Sequence, residues 1–295
     1  MPSSWGMSFI SPIYRNKGPK NDPNNYRGIS IISCLGKLFS STINERLSEF
    51  VETNKILGEE QAGFRAGYST QDHIFTLHSI IDIYLNKYSR KNLYCAFIDY
   101  QKAFDLVDRT SLWSKLIDCN INGKLMKLIY NMYQGTKACI KLNNKLSNSF
   151  ICSIGVRQGD NLSPLLFALY INDFESFLSA RYEGLSSLNS LFTDVTSNDE
   201  LETFLKLFIL LYADDTIVMA EGHEELQKAL EAVSEYCDLW KLQINVNKTK
   251  IIRSAKKKCT NNPTNEYDLP FDIVLDLFDK LILIVFLLNN FLRTS

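Results

Sequence analysis

The stretch Leu207-Phe208-Ile209-Leu210-Leu211-Tyr212-Ala213-Asp214-Asp215-Thr216-Ile217-Val218-Met219-Ala220 places two apolar runs around a short polar break. Runs of this kind predict a β-hairpin. Its tip, Tyr212-Ala213-Asp214-Asp215, holds two adjacent carboxylates beside a sheet interior. Burying an unpaired carboxylate is unfavourable, and two side by side repel each other. No Lys or Arg follows until Lys228. A divalent cation is the natural counter-charge, and hard oxygen ligands suit Mg²⁺. An Asp-Asp pair is equally ordinary turn chemistry, because Asp bonds its own backbone in turns. The tetrapeptide alone leaves both readings open.

A second carboxylate stands in a comparable place. Leu93-Tyr94-Cys95-Ala96-Phe97-Ile98 is apolar at every position and predicts a strand buried on both faces. It stops at Asp99, which is either a site residue at the strand mouth or a cap for the next turn. If this strand neighbours the hairpin, Asp99, Asp214 and Asp215 converge. Three such carboxylates can bind two Mg²⁺ ions, one activating an attacking hydroxyl and one holding a triphosphate leaving group. That chemistry is nucleotidyl transfer.

Upstream, an apolar stretch over residues 7–14 leads into a Gly/Pro-rich loop with Lys17 and Lys20, then Arg27. These are short strands able to grip phosphate, or a solvated basic loop. Residues 35–53 read as an amphipathic helix with Leu35, Leu38, Phe39, Ile43, Leu47 and Phe50 on its inward face. Residues 61–70 are Gly-spaced and loop-like, and Ser69 or Thr70 caps a helix running to about residue 88. His73 and His78 on that helix do not share a face as metal ligands would, so they read as structural.

Helices follow at about 110–118 and 122–134, then a hairpin of 137–142 with 149–154. In Gly155-Val156-Arg157-Gln158-Gly159-Asp160-Asn161-Leu162-Ser163-Pro164, Ser163 is the expected N-cap and Pro164 the first residue of a helix reaching about 177. The loop ahead of it either offers backbone N–H groups to a nucleotide or merely caps the helix. Residues 181–203, rich in Ser, Asn and Asp, read as an irregular or partly helical insertion. Residues 223–240 form an acidic amphipathic helix with Leu226, Ala229, Leu230, Val233, Cys237 and Trp240 inward, and 241–250 a basic turn or strand.

At 295 residues the chain can bury a full core in one large domain or two smaller ones. Its net charge of −1 does not by itself suggest a nucleic-acid binder, but the charge is unevenly spread. Residues 173–235 carry 14 acidic and 3 basic side chains, residues 241–258 carry 7 basic and no acidic ones, so a basic surface can lie beside an acidic one. Seven cysteines without a C-x-x-C pair argue against a disulfide framework or zinc site and for a reducing compartment. The N-terminus lacks the features of a signal peptide, and the longest apolar run, 281–288, is too short to span a bilayer. An intracellular chain with no membrane partner is expected.

Six motifs now stand in order: Asn25-Tyr26-Arg27-Gly28-Ile29-Ser30; Gln61-Ala62-Gly63-Phe64-Arg65; Phe97-Ile98-Asp99 through Ala103-Phe104-Asp105; Gly155-Val156-Arg157-Gln158-Gly159 with Leu162-Ser163-Pro164; Tyr212-Ala213-Asp214-Asp215; and Asn247-Lys248-Thr249. Each is weak alone. Together, over roughly residues 8–253, they resemble the reverse transcriptases of non-long-terminal-repeat (LINE-type) retrotransposons. The resemblance implies an α+β right-hand polymerase: fingers over 1–92, a palm over 93–253 with an antiparallel sheet backed by helices, and a divergent tail over 254–295 where the family has a helical thumb. It implies RNA-directed DNA synthesis on an RNA template from a DNA primer, with dNTPs and two Mg²⁺ ions for which Mn²⁺ can substitute. Action in the nucleus is implied, together with an endonuclease supplied elsewhere.

Residue by residue, Asp99, Asp214 and Asp215 match the metal-binding carboxylates and Lys248 the lysine that protonates departing pyrophosphate. Phe104 matches the aromatic residue that blocks a ribose 2′-hydroxyl. Gln158 and Gly159 match the loop against the incoming nucleotide and template. Lys17, Arg27 and Arg65 match nucleotide-contacting positions of the fingers, with Arg27 nearest to the triphosphate. Tyr212 falls beneath the primer end. Each accessory residue has a plainer reading beside this one: Arg65 as a brace, Lys248 as a surface lysine, Phe104 as a core aromatic. A viral RNA-dependent RNA polymerase shares the paired-Asp hairpin, but Phe104 and the Gln158–Pro164 segment oppose it. A group II intron maturase would carry a further domain after the palm. The alternative from another class is a catalytically inactive retrotransposon relic that at most binds RNA.

Overall fold

The computed structural model describes residues 2–16, 18–87, 92–182, 185 and 209–255. Lys17, nearly all of the expected insertion 181–203 and nearly all of the tail 254–295 lie outside these residues. In chain order the elements are β1 (Met7–Tyr14), β2 (Tyr26–Ile31), α1 (Cys34–Thr53), α2 (Thr70–Asp82), β3 (Asn92–Ile98), α3 (Ala103–Leu106), α4 (Arg109–Asp118), α5 (Gly123–Tyr133), β4 (Lys137–Leu142), β5 (Lys145–Leu146), β6 (Phe150–Ile151), α6 (Ser163–Tyr170), α7 (Phe174–Ser179), β7 (Ile209–Tyr212), β8 (Asp215–Ala220), α8 (His223–Leu239) and β9 (Lys250–Ala255). They divide into two compact units that alternate along the chain, each built on one sheet.

The first unit comprises Met1–Gly58, Gln101–Asp173 and Asp238–Gln243. Its sheet runs β2-β1-β4-β5, with β6 also on β4. β1 and β2 form an antiparallel hairpin from Phe9↔Ile31 to Tyr14↔Tyr26, and β1 lies parallel to β4. The expected partner of β4 over 149–154 shortens to β6, and β5, which begins in the expected turn, pairs with the end of β4. Between them the Ser147 Oγ accepts from the Ile140 N–H at 2.9 Å while the Ser147 N–H donates to the Ile140 carbonyl at 3.0 Å, so a hydroxyl stands in for one ladder group. Asn143 and Asn144 turn this hairpin with φ of 47° and 60°, a left-handed pair that Asn tolerates.

Helix α1 corrects the expected face. Its buried residues are Gly36, Ser40, Ile43, Leu47 and Val51, while Leu35 and Leu38 are 63% and 66% exposed. The cause is Trp5, whose side chain packs directly over Gly36 and whose ring lies 5.5 Å from Phe39. In the core, α4 buries Leu112 and Leu116, α5 buries Ile129, and α6 buries every residue but Pro164. Lys115, almost fully buried, ion-pairs with Asp173 and stands 3.5 Å over the Trp240 ring.

α6 departs from expectation at both ends. Ser163 is its first helical residue and buried, and the cap is Leu162, with no side-chain capping bond; the Ser163 Oγ lies 3.4 Å from the Tyr133 hydroxyl instead. The Leu162 N–H instead donates to the buried Asp160 carboxylate at 3.3 Å. An acid at this helix N-terminus satisfies the positive end of the dipole from within the protein, which favours the plain capping reading of this loop. The helix ends at Tyr170, short of the expected 177, and α7 starts afresh at Phe174.

The second unit comprises Glu59–Tyr100, Phe174–Cys237 and Ile244–Ser295. Its sheet, β7-β8-β3-β9, is antiparallel throughout. β3 is central, as its unbroken apolar run requires, with Leu93, Cys95, Ala96 and Ile98 buried. α2 opens on a capping box in which Ser69 and Asp72 bond each other's backbone N–H, and it passes at Ile83 into one wider turn ending at Lys87. α8 buries Leu226, Ala229, Ala232, Val233, Tyr236 and Cys237. The Phe174 and Phe177 rings meet Tyr236 edge-on at 4.9 and 5.2 Å. Among the described residues, no helix is long and apolar enough to cross a membrane.

Candidate active site

The β7–β8 hairpin is tighter than the sequence suggested. Tyr212 pairs with Asp215, leaving Ala213 and Asp214 as a two-residue turn, and Ala213 has φ of 59°. A non-glycine residue there costs roughly 1–2 kcal/mol, so something must hold it. Residues 60–63 do so by lying along β7. The Leu211 N–H donates to the Glu60 carbonyl at 2.7 Å and the Ala62 N–H to the Leu211 carbonyl at 3.0 Å. The Gln61 Oε1 accepts from the Ala213 N–H at 3.2 Å and the Gly63 N–H at 2.8 Å. A Cβ on Gly63 would fall 2.2 Å from the Ala213 nitrogen, so only glycine permits this approach. The His73 Nε2 lies 3.0 Å from the Glu60 carbonyl and 2.9 Å from that of Leu211. Burial lowers the His73 pKa, so its neutral ring shares one N–H between the two carbonyls. This is the structural role expected for that histidine.

The register Ile98↔Thr216 carries the chain of β3 directly to Asp99, beside Asp215 on the neighbouring strand. Asp99 is then gripped by one turn. The Asn245 N–H donates to the Asp99 carbonyl at 2.7 Å, and the Thr249 Oγ1 lies 3.4 Å from the Asp99 N–H. The Asn245 Nδ2 donates to Oδ1 at 2.9 Å and the Lys248 Nζ to Oδ2 at 3.1 Å. The turn is closed by the Lys248 and Thr249 N–H groups, both donating to the Asn245 carbonyl. The Asp215 carboxyl is pushed up to about 7, first by burial and then by the negative charges of Asp214 and Asp99, with Lys248 pulling the other way. Charge is thus concentrated here beyond what the protein's own cation relieves.

Among the described residues, no group of three or more His, Cys, Asp or Glu side chains is arranged to hold a metal ion. Mg²⁺ does not need one, since it is commonly held by one or two carboxylates with waters and substrate phosphates completing its octahedron. Oxygen donors from Asp99 and Asp215 on adjacent strand ends, with the Asp215 carboxyl raised by its acidic neighbours, fit such a partial set.

Beside the hairpin, the half-buried Tyr212 has its ring centroid 6.5 Å from Phe64, which is 51% exposed with φ of 60°. Arg65 donates from Nη1 to the Gln61 carbonyl at 2.9 Å and lies 4.1 Å over the Tyr68 ring. These contacts fit a brace for the strap along β7.

The remaining candidates belong to the first unit. Gln158 is bonded on three sides. Its carbonyl accepts from the Ser30 N–H at 3.1 Å, its Nε2 donates to the Asp105 Oδ2 at 3.0 Å, and its Oε1 lies 3.4 Å from the Arg27 Nε. Gly159, with φ of 99°, passes so close under Ser30 that a Cβ would lie 2.9 Å from its carbonyl oxygen. Gly155 is pressed similarly against the Asp105 carbonyl, at 2.5 Å for a Cβ. The Arg109 guanidinium anchors the near end of this loop by donating to the Gly155 and Cys152 carbonyls at 2.9 and 2.7 Å. Phe104 stacks on Phe167 at 5.0 Å and keeps part of its surface open.

The predicted residues therefore fall into two groups: Asp99, Asp214, Asp215, Lys248, Tyr212 and Arg65 in the second unit, and Arg27, Phe104, Gln158 and Gly159 in the first. Sequence reading overlooked Asn245 and the Gln61 strap, and did not foresee the bond between Asp105 and Gln158. Asn245 stands three residues before Lys248, and Gln61 opens a quoted motif, so both positions were in view without a role.

The fold is that of the right-hand polymerases. Telomerase from Candida tropicalis superposes over 90% of this chain and 53% of its own, with a TM-score of 0.57 at 14% identity. A telomerase from Candida albicans does so over 90% and 44%, at 0.56 and 12%. The family described as reverse transcriptase (RNA-dependent DNA polymerase) matches residues 18–264, and the chain belongs to that family. Among curated relatives, a probable RNA-directed DNA polymerase from the transposon X-element of Drosophila melanogaster is 26% identical over 91% of this chain. The corresponding protein from the transposon BS is 29% identical over 84%. This chain spans 28% and 26% of the length of those two relatives.

Proposed function

We propose that this chain is the polymerising portion of a retrotransposon RNA-directed DNA polymerase, which extends a DNA primer on an RNA template with dNTPs. The observation that carries the reading is the carboxylate cluster at the strand ends, where Asp215, on the strand beside Asp99, is pushed up to about 7 by burial and then by the charges of Asp214 and Asp99. Asp99, Asp215 and Asp214 are the cation-holding residues in this reading, for Mg²⁺ or Mn²⁺. Bound divalent cations supply a more acidic primer hydroxyl and charge compensation for the triphosphate. Asp99 contributes a carboxylate whose orientation is fixed by the turn at residues 245–249. Lys248 is the proton donor to pyrophosphate, and it must leave the Asp99 Oδ2 to act. Tyr212, half-buried at the hairpin, supports the primer end.

In the first unit, Arg27, Gln158 and Gly159 are assigned to the incoming nucleotide and Phe104 to exclusion of the 2′-hydroxyl. The part-open Phe104 ring, backed by Phe167, supports that role, since a ring braced from behind resists displacement. Priming from nicked genomic DNA, with nicking by an endonuclease activity and action in the nucleus, completes the proposal. The test is primer extension on an RNA template with Mg²⁺ and dNTPs, beside the Asp214→Ala/Asp215→Ala protein. Extension by the native protein alone supports the reading. No extension from folded protein leaves a family member that is a relic.

A further inference from the structure

The turn at residues 245–249 does more than close the palm behind Asp99. We propose that Asn245 is the positioning residue for the Asp99 carboxylate, its side-chain amide fixing which oxygen is presented for a divalent cation. The inference rests on the reading of Asp99 as a cation ligand. Every polar atom of Asp99 except one oxygen is taken by a neutral partner: the carbonyl by the Asn245 N–H at 2.7 Å, the N–H by the Thr249 Oγ1 at 3.4 Å, and Oδ1 by the Asn245 Nδ2 at 2.9 Å. Only Oδ2 meets a charge, the Lys248 ammonium at 3.1 Å, on a side chain 54% exposed and so able to withdraw into solvent. A neutral amide on one oxygen and a displaceable ammonium on the other leave Oδ2 as the oxygen a cation would take over.

The main chain makes this separable from folding. The Asn245 N–H bond to the Asp99 carbonyl and the Tyr100↔Ile244 bridge involve backbone only, so they survive replacement of the Asn245 side chain. What replacement removes is the grip on Oδ1, freeing the carboxylate to rotate. Neighbouring Asn247 offers a matched control, because it lies exposed in the same turn.

The test is Mn²⁺ binding to the nucleotide-free protein, read by the paramagnetic signal of free Mn²⁺, for native protein, Asn245→Ala, Asn247→Ala, Asp99→Ala and Asn245→Ala/Asp99→Ala, each with its thermal melt. Asn245→Ala should weaken binding about 10- to 100-fold, the range for partners that orient metal ligands. Asn247→Ala should stay within about twofold, and Asn245→Ala should add nothing in the Asp99→Ala background. Should Asn245→Ala lower the melting temperature, Asn245→Ser, too short to reach Oδ1, replaces it. Equal losses for Asn245→Ala and Asn247→Ala, or none for Asn245→Ala while Asp99→Ala weakens binding, overturn the inference and leave the polymerase reading intact. If Asp99→Ala binds like native protein, the cation reading of Asp99 falls and the inference with it.

Discussion

Two polar clusters, one in each unit, surround a raised carboxyl with different neighbours. In the first unit, desolvation raises the Asp105 pKa, and the Gln158 amide, Lys102, Arg27 and Arg15 offset only part of that rise. In the second, Asp215 is raised by burial and again by Asp214 and Asp99, with only Lys248 opposing. The first cluster is complete as it stands, donor matched to acceptor from Arg27 through Gln158 to Asp105. In the second, Asp215 stays raised after Lys248 has acted, and the proposed cation would supply the counter-charge. Buried groups that a protein leaves unrelieved are where function is expected, since folding alone would select against them.

The largest expected effect breaks that contrast at Asp215. Asp215→Asn should reduce primer extension roughly 10³-fold, a loss of about 4 kcal/mol of charge stabilisation. In metal-free protein the same change should stabilise the fold. A carboxyl raised to about 7 favours the native state fully only below its unfolded value near 3.8, and that contribution is lost as pH rises through about 7. The Asn side chain does not ionise, so its advantage over native protein should be nil near pH 3.8 and grow to on the order of 2–4 kcal/mol above pH 7. Urea unfolding in chelator across that range measures it. A gap that is flat with pH would mean the Asp215 carboxyl is ordinary and the two clusters alike.

A smaller effect sharpens the comparison at the backbone. Gly63 and Gly67 are both in the loop ahead of α2, yet only Gly63 touches the hairpin, with a Cβ 2.2 Å from the Ala213 nitrogen, while Gly67 has φ of 86° and open space around it. Gly67→Ala should cost about 1 kcal/mol from its backbone conformation alone. Gly63→Ala should cost roughly 2–4 kcal/mol, because main chain must move against main chain, and the shift should register in Mn²⁺ affinity as well as in the melting temperature. Equal costs would mean that the strap is not what holds Ala213 in its left-handed conformation.

The contrast also explains what the sequence could disclose. β3, β7 and β8 were legible because a strand buried among other strands must be apolar at nearly every position, and the carboxylates stood out as interruptions of those runs. The adjacency on which their convergence was argued is present in the pairing of β3 with β8. The grip on Asp99 was not legible. Asn245 and Thr249 are polar residues in a short turn, 146 and 150 positions from Asp99, and nothing in local pattern marks such a partner. Leu35 and Leu38 misled for the complementary reason. Periodicity placed Ile43 and Leu47 correctly, but in its first turns α1 buries Gly36 and Ser40, near Trp5, in place of the two leucines. Ser163 offered a familiar cap beside Pro164, but Asp160, three residues earlier, takes that work from inside the loop.

The smallest effect expected lies in the complete cluster. Asp105→Asn keeps the shape and removes the charge, and its amide can still offer an oxygen to the Gln158 Nε2 at the 3.0 Å spacing. What changes is the balance along the chain: a neutral acceptor holds the Gln158 amide less firmly than a carboxylate does, so its Oε1 is less constrained to face Arg27. If Gln158 serves the nucleotide, KM for dNTP should rise by roughly 2- to 10-fold with kcat nearly unchanged, since a bond of this kind contributes about 1 kcal/mol. Gln158→Leu, which removes both ends of the relay, should raise KM by at least as much, and adding Asp105→Asn to it should do nothing further. A fall in kcat with KM unmoved would instead tie this cluster to the chemical step and erase the distinction between a finished scaffold and an unfinished site.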